Sequence, residues 1–249
     1  MIILKNSTQI DGIRKSCKLL AKLFDEVLPQ IHEGMTTLEL NALCHNFMKQ
    51  HNGRPAWFLA DFDYAACISV NEEVIHGIPS KKRILRNGDL VSLDVGIDLD
   101  GFISDSSHTV KIGNVSPEKE RLMKVTEECL YAGIAACKAG NRINDISKAV
   151  YEVAHKAGFG VVRDYSGHGV GIHVHEDPRV PNFPSLGSNP RIQEGMVLAI
   201  EPMITLGKGD VYEGDDGWTV ITCDGSTACH FEHTVAVFRD HTEILTKLD

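Results

Sequence analysis

A chain of 249 residues, 43% hydrophobic and 24% charged, has the composition of a globular protein long enough to bury a sizeable core. Its net charge of −9 leaves no basic footprint for nucleic acid or an anionic membrane, and no run approaches the roughly 18 apolar residues of a membrane span. The seven scattered cysteines form no CxxC, which argues against a disulfide framework, a zinc module or a redox pair, and the N-terminal MIILKNSTQIDGIRK has neither a long apolar segment nor a small-residue cleavage site, so the expected compartment is the cytoplasm.

Residues 8–28 place Ile10, Ile13, Cys17, Leu20, Phe24 and Val27 at steps of three and four, predicting an amphipathic helix that ends before Pro29. A second helix is expected after Thr36, where Glu39 three residues on completes a capping box. Residues 91–106, VSLDVGIDLDGFISDS, then predict a hairpin: Val91, Leu93, Val95 and Ile97 alternate onto one face, and Asp98, Asp100 and Gly101 supply the turn. Asp94 and Asp105 lie about equally far from that turn, and so nearly opposite each other on one face. Like charges so placed destabilise a strand pair, unless both face water or something positive lies between them. Ser116-Pro117-Glu118 opens a third helix running to about Gly140, and a fourth spans roughly 144–157.

The chain repeats itself. HEGMTTLEL matches KAGNRINDI with an offset of 106 residues (Gly34 to Gly140), and LRNGDLVSLD matches IQEGMVLAIE with an offset of 107 (Gly88 to Gly195). A single α+β domain over 1–249 is expected, with two pseudo-twofold-related helix-helix-strand halves (roughly 7–115 and 116–249) around a central antiparallel sheet. The duplication carries Asp94 onto Glu201, so a carboxylate recurs at one place in each half.

Glu201 in MVLAIEPMI and Glu232 in ACHFEHTVAVF sit in apolar surroundings, where an unpaired carboxylate costs several kcal/mol or stays protonated. A salt bridge or a solvated strand face would explain any one of these acids. No lysine or arginine lies in the three stretches that carry them, however, so the set as a whole needs another partner. His168, between glycines in GHGVG, offers a neutral nitrogen; that run does not follow the GxGxxG of a dinucleotide loop. Asp94, Asp105, Glu201 and Glu232 with one imidazole carry four negative charges, which two divalent cations would cancel. An oxygen-rich set of this kind suits Mn²⁺, Fe²⁺ or Co²⁺, with Zn²⁺ compatible, better than a structural zinc.

Together HGIP at 76–79, LDVG…GFISDSS, GHGVGIHVHEDP, AIEPM and FEHTV resemble the methionine aminopeptidases of the type I, bacterial-like class, over essentially the whole chain. The resemblance implies the pita-bread fold and a metallo-exopeptidase that removes N-terminal methionine from nascent polypeptides and peptides. It implies a cytoplasmic monomer, with the ribosome as one place of work, and no nucleic-acid or membrane partner. By motif match Asp94 would chelate one metal, Asp105 and Glu232 would bridge two, and His168 and Glu201 would complete the other site. Glu201 would also move protons, His76 and His175 would contact the substrate and stabilise the transition state, and Phe62, Cys67 and Trp218 would build the methionine pocket. Without that context Phe62 and Trp218 are ordinary core aromatics and Cys67 a small inert hydrophobe. His173, expected on the same strand face as His175, is not the histidine that the motif selects.

Other outcomes within the fold are an X-Pro aminopeptidase or dipeptidase, whose usual large N-terminal domain finds no room before a repeat that begins by residue 10, and a binding protein with a dead site, which would be expected to have lost a ligand. Three departures from the family's pattern fall on the pocket: WFLADFDYAAC replaces a glycine-rich, proline-containing stretch, Gly96 stands where many relatives place threonine, and Val174 stands where an aromatic is common. They lead to the expectation of a looser pocket with intact metal chemistry.

Overall fold

The computed structural model describes residues 1–248. Four helices form where expected: α1 (Ser7–Val27), α2 (Thr37–Gln50), α3 (Pro117–Ala136) and α4 (Ile143–Ala157). The Thr36–Glu39 capping box is present, and Asn6 and Gln9 form a second one that the sequence had not drawn attention to. Helix α3 stops short of Gly140. The Asn141 side-chain amide donates to the Ala136 carbonyl at 2.9 Å, and Gly140 (φ +95°) instead serves the turn into α4.

Nine strands make one antiparallel sheet. Along its main path lie Arg54–Pro55, Leu90–Leu99, Phe102–Lys111, Glu232–Val237, Val197–Ile200, Ser166–Gly169 and Glu176–Pro181, with Cys67–Val70 paired to Leu90–Leu99 and Thr242–Ile244 to Glu232–Val237. The two halves meet between Phe102–Lys111 and Glu232–Val237, where Glu232 pairs Ser107 and His233 pairs Ser106. Equivalent hydrogen bonds recur in each half. Gly34 N donates to Leu85 O (2.8 Å) as Gly140 N does to Ile192 O (2.9 Å), and Gly88 N donates to Ile112 O (2.8 Å) as Gly195 N does to Val237 O (2.9 Å). All four glycines have φ between +87° and +96°, a region closed to most side chains, which explains why glycine stands at both members of each pair.

Register decides which side chains share a face. Asp94 pairs Ser107, which pairs Glu232; Gly96 pairs Asp105; Thr234 pairs Ala199, which pairs His168. Paired residues share a face and so do residues two apart, so Asp94, Asp105, His168, Glu232 and, two beyond Ala199, Glu201 all project from one side. Asp94 and Asp105 are diagonal neighbours rather than directly opposed. The two-residue Asp100-Gly101 turn joins Leu99 to Phe102, leaving Asp94 two pairs farther from it than Asp105. Asp98 belongs to the strand, and its carboxylate closes the turn by accepting from Gly101 N at 2.9 Å.

The opposite face is apolar and covered by helices. Val91, Leu93, Val95 and Ile97 pack with Leu20 and Phe24 of α1 and Leu40 and Phe47 of α2. In the second half Leu198, Ile200, Val235 and Val237 pack with Leu122 and Leu130 of α3 and Ile146 and Val150 of α4. A third cluster, with Ile10, Ile13, Phe62, Cys67, Val174 and Ala199 among its members, fills the space around the acidic face.

Gly96 illustrates how tightly that face is packed. A Cβ built there would lie 2.9 Å from the Ala56 Cβ and 3.3 Å from the Trp57 ring, so Ala56 and Trp57 occupy the space that a larger residue at 96 would need. Gly96→Thr should therefore lower the unfolding free energy by about 1–3 kcal/mol, the usual cost of overpacking, in urea titration. Adding Trp57→Ala should recover part of that loss; a neutral Gly96→Thr would show that the space is free.

Candidate active site

All ten residues singled out from the sequence line one cavity of about 670 Å³. Asp94 and Asp105 come from the hairpin of the first half, Glu201 follows Val197–Ile200, Glu232 begins its strand, and His168 lies within Ser166–Gly169. Asp105, His168 and Glu232 bring donor atoms within 4.8 Å of one another. His168 Nε2 lies 3.5 Å from Glu201 Oε1 and 3.7 Å from Asp105 Oδ2, while Nδ1–H donates to Gly169 O at 2.9 Å. That hydrogen bond fixes the tautomer and leaves the Nε2 lone pair facing the carboxylates.

The acids fit divalent metal. Asp94, Asp105, Glu201 and Glu232 are each no more than 8% exposed. Among the described residues none has a lysine or arginine partner, and Asp94 Oδ1, Asp105 Oδ1 and Glu232 Oε1 are buried without any hydrogen bond. A buried oxygen so exposed to its neighbours' charge must be protonated or bound to a cation. Accordingly, with no cation, burial pushes Asp94 up to about 7, with Glu201 reinforcing the rise and His230 opposing it. Burial and the neighbouring acids also hold Asp105 and Glu232 well above the usual carboxylate range. Burial likewise acts to raise Glu201, but His230, His168 and His76 outweigh it and keep this carboxyl below its ordinary value.

His76 follows Glu73–Ile75 in the left-handed region (φ 59°), an uncommon conformation for a residue with a Cβ. Gly77 after it packs so closely on Ile68 that no side chain fits there, and Gly77 N donates to Ser69 Oγ at 3.1 Å. The His76 ring thereby turns toward Trp218 and Tyr165, at centroid distances of 6.3 and 5.9 Å. Burial lowers its basicity. The His175 ring stands 4.4 Å from that of His168. Although part of it meets solvent, burial and the neighbouring His168 push it down to about 4 against the pull of Glu201. Phe62 meets Trp218 edge to face at 5.1 Å, and with Cys67 they form an apolar wall.

Two expectations need correction. Val174 is buried in the cluster that holds Phe62 and Cys67 but does not line the cavity, so the altered wall consists of Trp57, Ala60 and Phe62 instead. His173 and His175 lie on a bend before Glu176–Pro181, not on a strand, and His173 also lines the cavity. What separates the two is the contact of His175 with His168. The sequence also left His230 unmarked. Fully buried, with Nε2 3.5 Å from Glu201 Oε2, it is the imidazole on the far side of that carboxylate from His168. Its position two residues before Glu232, on the same alternation, was the available signal.

The fold and the donor set define a class, the divalent-metal hydrolases built on a pita-bread frame. Residues 11–238 match metallopeptidase family M24, and the chain belongs to that family. It is 58% identical to a methionine aminopeptidase of Treponema pallidum over 99% of this chain and 97% of that one. The crystal structure of a methionine aminopeptidase from Thermotoga maritima superposes with a TM-score of 0.96 at 39% identity, each chain covered completely. The prolidase of Pyrococcus furiosus shares the fold alone, with a TM-score of 0.81 at 24% identity over 99% of this chain and 66% of that one.

The raised acids set a sign for stability. A carboxyl whose folded pKa exceeds its unfolded value of roughly 3.9 favours the folded state at low pH, and that contribution fades as pH rises through the folded pKa. Metal-free protein should therefore lose stability between about pH 4 and 7 through Asp94, and further through Asp105 and Glu232. Bound divalent metal, which takes the ionised form, should oppose the loss. The gap between melting temperatures with and without Mn²⁺ should thus widen from pH 5 to pH 7.5; a constant gap would show that these acids do not meet the metal.

Proposed function

We propose that the chain is a methionine aminopeptidase that holds two divalent ions through Asp94, Asp105, His168, Glu201 and Glu232. The observation that carries this reading is the coincidence, in one cavity, of a carboxylate–imidazole cluster with an apolar wall of Phe62, Cys67 and Trp218. Relatives of that name at 40–58% identity over nearly the whole chain support it. Cobalt, manganese, iron and zinc are all compatible with an oxygen-rich set that contains one nitrogen.

The bound ions supply Lewis acidity and lower the pKa of the attacking water. Glu201, kept ionised by the imidazoles around it, accepts that water's proton and passes it to the leaving amine. His175 and His76, both neutral at physiological pH, donate hydrogen bonds to the oxygen on which charge develops and to the substrate backbone. Methionine, unbranched and polarizable, packs against the apolar wall. Such walls discriminate a methylene by only about 1–3 kcal/mol, so side-chain selectivity follows the shape that Trp57, Ala60 and Phe62 give them.

The substrates are the N-termini of peptides and nascent proteins, met in the cytoplasm and at the ribosome by a monomer whose single domain is a duplicated unit divided near residue 115. No described helix is long and apolar enough to cross a membrane.

The test is metal-free protein refilled with each ion in turn and assayed on Met-Ala-Ser and on an X-Pro peptide. Methionine release is expected, and release of residues preceding proline without it would overturn the assignment. Glu201→Gln should lower kcat on the order of 10²–10⁴-fold with the fold intact. His175→Ala should lower kcat with metal content unchanged; loss of metal in that variant would move His175 into the donor set.

A further inference from the structure

The chain before α1 is not a loose lead-in. Lys5 N donates to Gly195 O at 2.7 Å, and its side chain runs inward to an ion pair with Glu176 Oε2 in which both side chains are only 1% exposed. Met1 and Ile3 line the cavity, and the terminal ammonium pairs with Asp177. Adjacent acids at the start of Glu176–Pro181 thus each take a cation from the first five residues.

A pair this deeply buried is expensive. Desolvation offsets most or all of its attraction, and an apolar pair of similar volume would fill the space as stably. Burial accordingly draws the Lys5 ammonium below its ordinary pKa while Glu176 pulls it back up. What an apolar residue could not do is supply the second carboxylate oxygen: Glu176 Oε1 accepts from Ile172 N at 2.8 Å and from His173 N at 2.9 Å. Those amides belong to the bend that carries His175. The bend is also tied by Ile103 N to Gly171 O (2.8 Å) and by Gly171 N to His173 O (3.2 Å), and Gly171 (φ +127°) is wedged against Ile13 with the Lys5 Cε 3.6 Å from where its Cβ would be. None of these groups takes part in the proposed chemistry, yet all of them hold the bend that carries His175.

We propose that Lys5 and Glu176 are positioning residues for His175: Lys5 fixes the Glu176 carboxylate, the carboxylate fixes the backbone of 172–173, and the bend aims the ring at the site. This rests on His175 meeting the substrate, as argued above. The N-terminal segment is then part of the catalytic scaffold.

The test is a double-mutant cycle in the full-length, metal-loaded enzyme, with kcat and KM for Met-Ala-Ser and metal content measured for Lys5→Met, His175→Ala and both together. Lys5→Met should lower kcat on the order of 10²-fold, the cost of an ångström-scale misplacement, with KM and metal content changed far less. In the His175→Ala background it should cost almost nothing more. Losses that multiply, or a Lys5→Met enzyme with full kcat, would overturn the proposal. Should Lys5→Met not fold, Lys5→Met with Glu176→Gln leaves no unpaired buried charge and enters the same cycle. Hydrogen exchange at the Ile172 and His173 amides needs no substrate and should speed up in either variant; unchanged exchange refutes the positioning role even if the enzyme proves to cleave another peptide. Failure of the wild type to release methionine would instead overturn the functional assignment.

Discussion

Four carboxylates project from one face of the sheet, and among the described residues no lysine or arginine separates them. Everything else in the molecule has to hold that arrangement together against its own repulsion. The sheet does so by being apolar on the reverse side, where two helix pairs bury Leu93, Ile97, Leu198 and Val235. Since burying a single leucine or valine stabilises by about 1.5–3 kcal/mol, a few such residues outweigh the cost of one protonated or metal-bound acid. The site's charge is tolerated because the opposite face is so strongly hydrophobic.

Imidazoles grade the four acids. Glu201 lies between His168 and His230 and stays acidic despite its burial, whereas burial raises Asp94, Asp105 and Glu232, reinforced by the neighbouring acids. Carboxyls in one cluster are thereby given different protonation, the condition under which like groups can take different parts in acid–base chemistry. His76 and His175, whose basicity burial lowers, line the same cavity.

Much of this was legible in the sequence, because period-two alternation fixes which residues share a sheet face whatever the rest of the chain does. That logic marked Asp94, Asp105 and Glu232, the repeat added Glu201, and the capping signals at Thr36 and Ser116 placed two helix starts. It could not fix relative register, and Asp94 and Asp105 proved diagonal because hairpin register depends on where the turn closes. Long-range pairing was equally hidden: Lys5 meets Glu176 across 171 residues, and nothing near either marks it as buried. The role expected of Val174 in the pocket rested on family pattern, and it failed because the residue is buried within the cluster behind the wall of Phe62 and Cys67 rather than lining the cavity. His230, by contrast, was within reach of the alternation argument already applied to Glu232.

Within the main sheet the seam between the halves is two residue pairs, Glu232–Ser107 and His233–Ser106, and the acidic cluster lies on both sides of it. Asp94 and Asp105 belong to one half, and His168, Glu201 and Glu232 to the other. An ion held by this cluster would draw donors from both halves and so would act as a rivet through the join, its affinity and the docking of the halves being coupled by linkage.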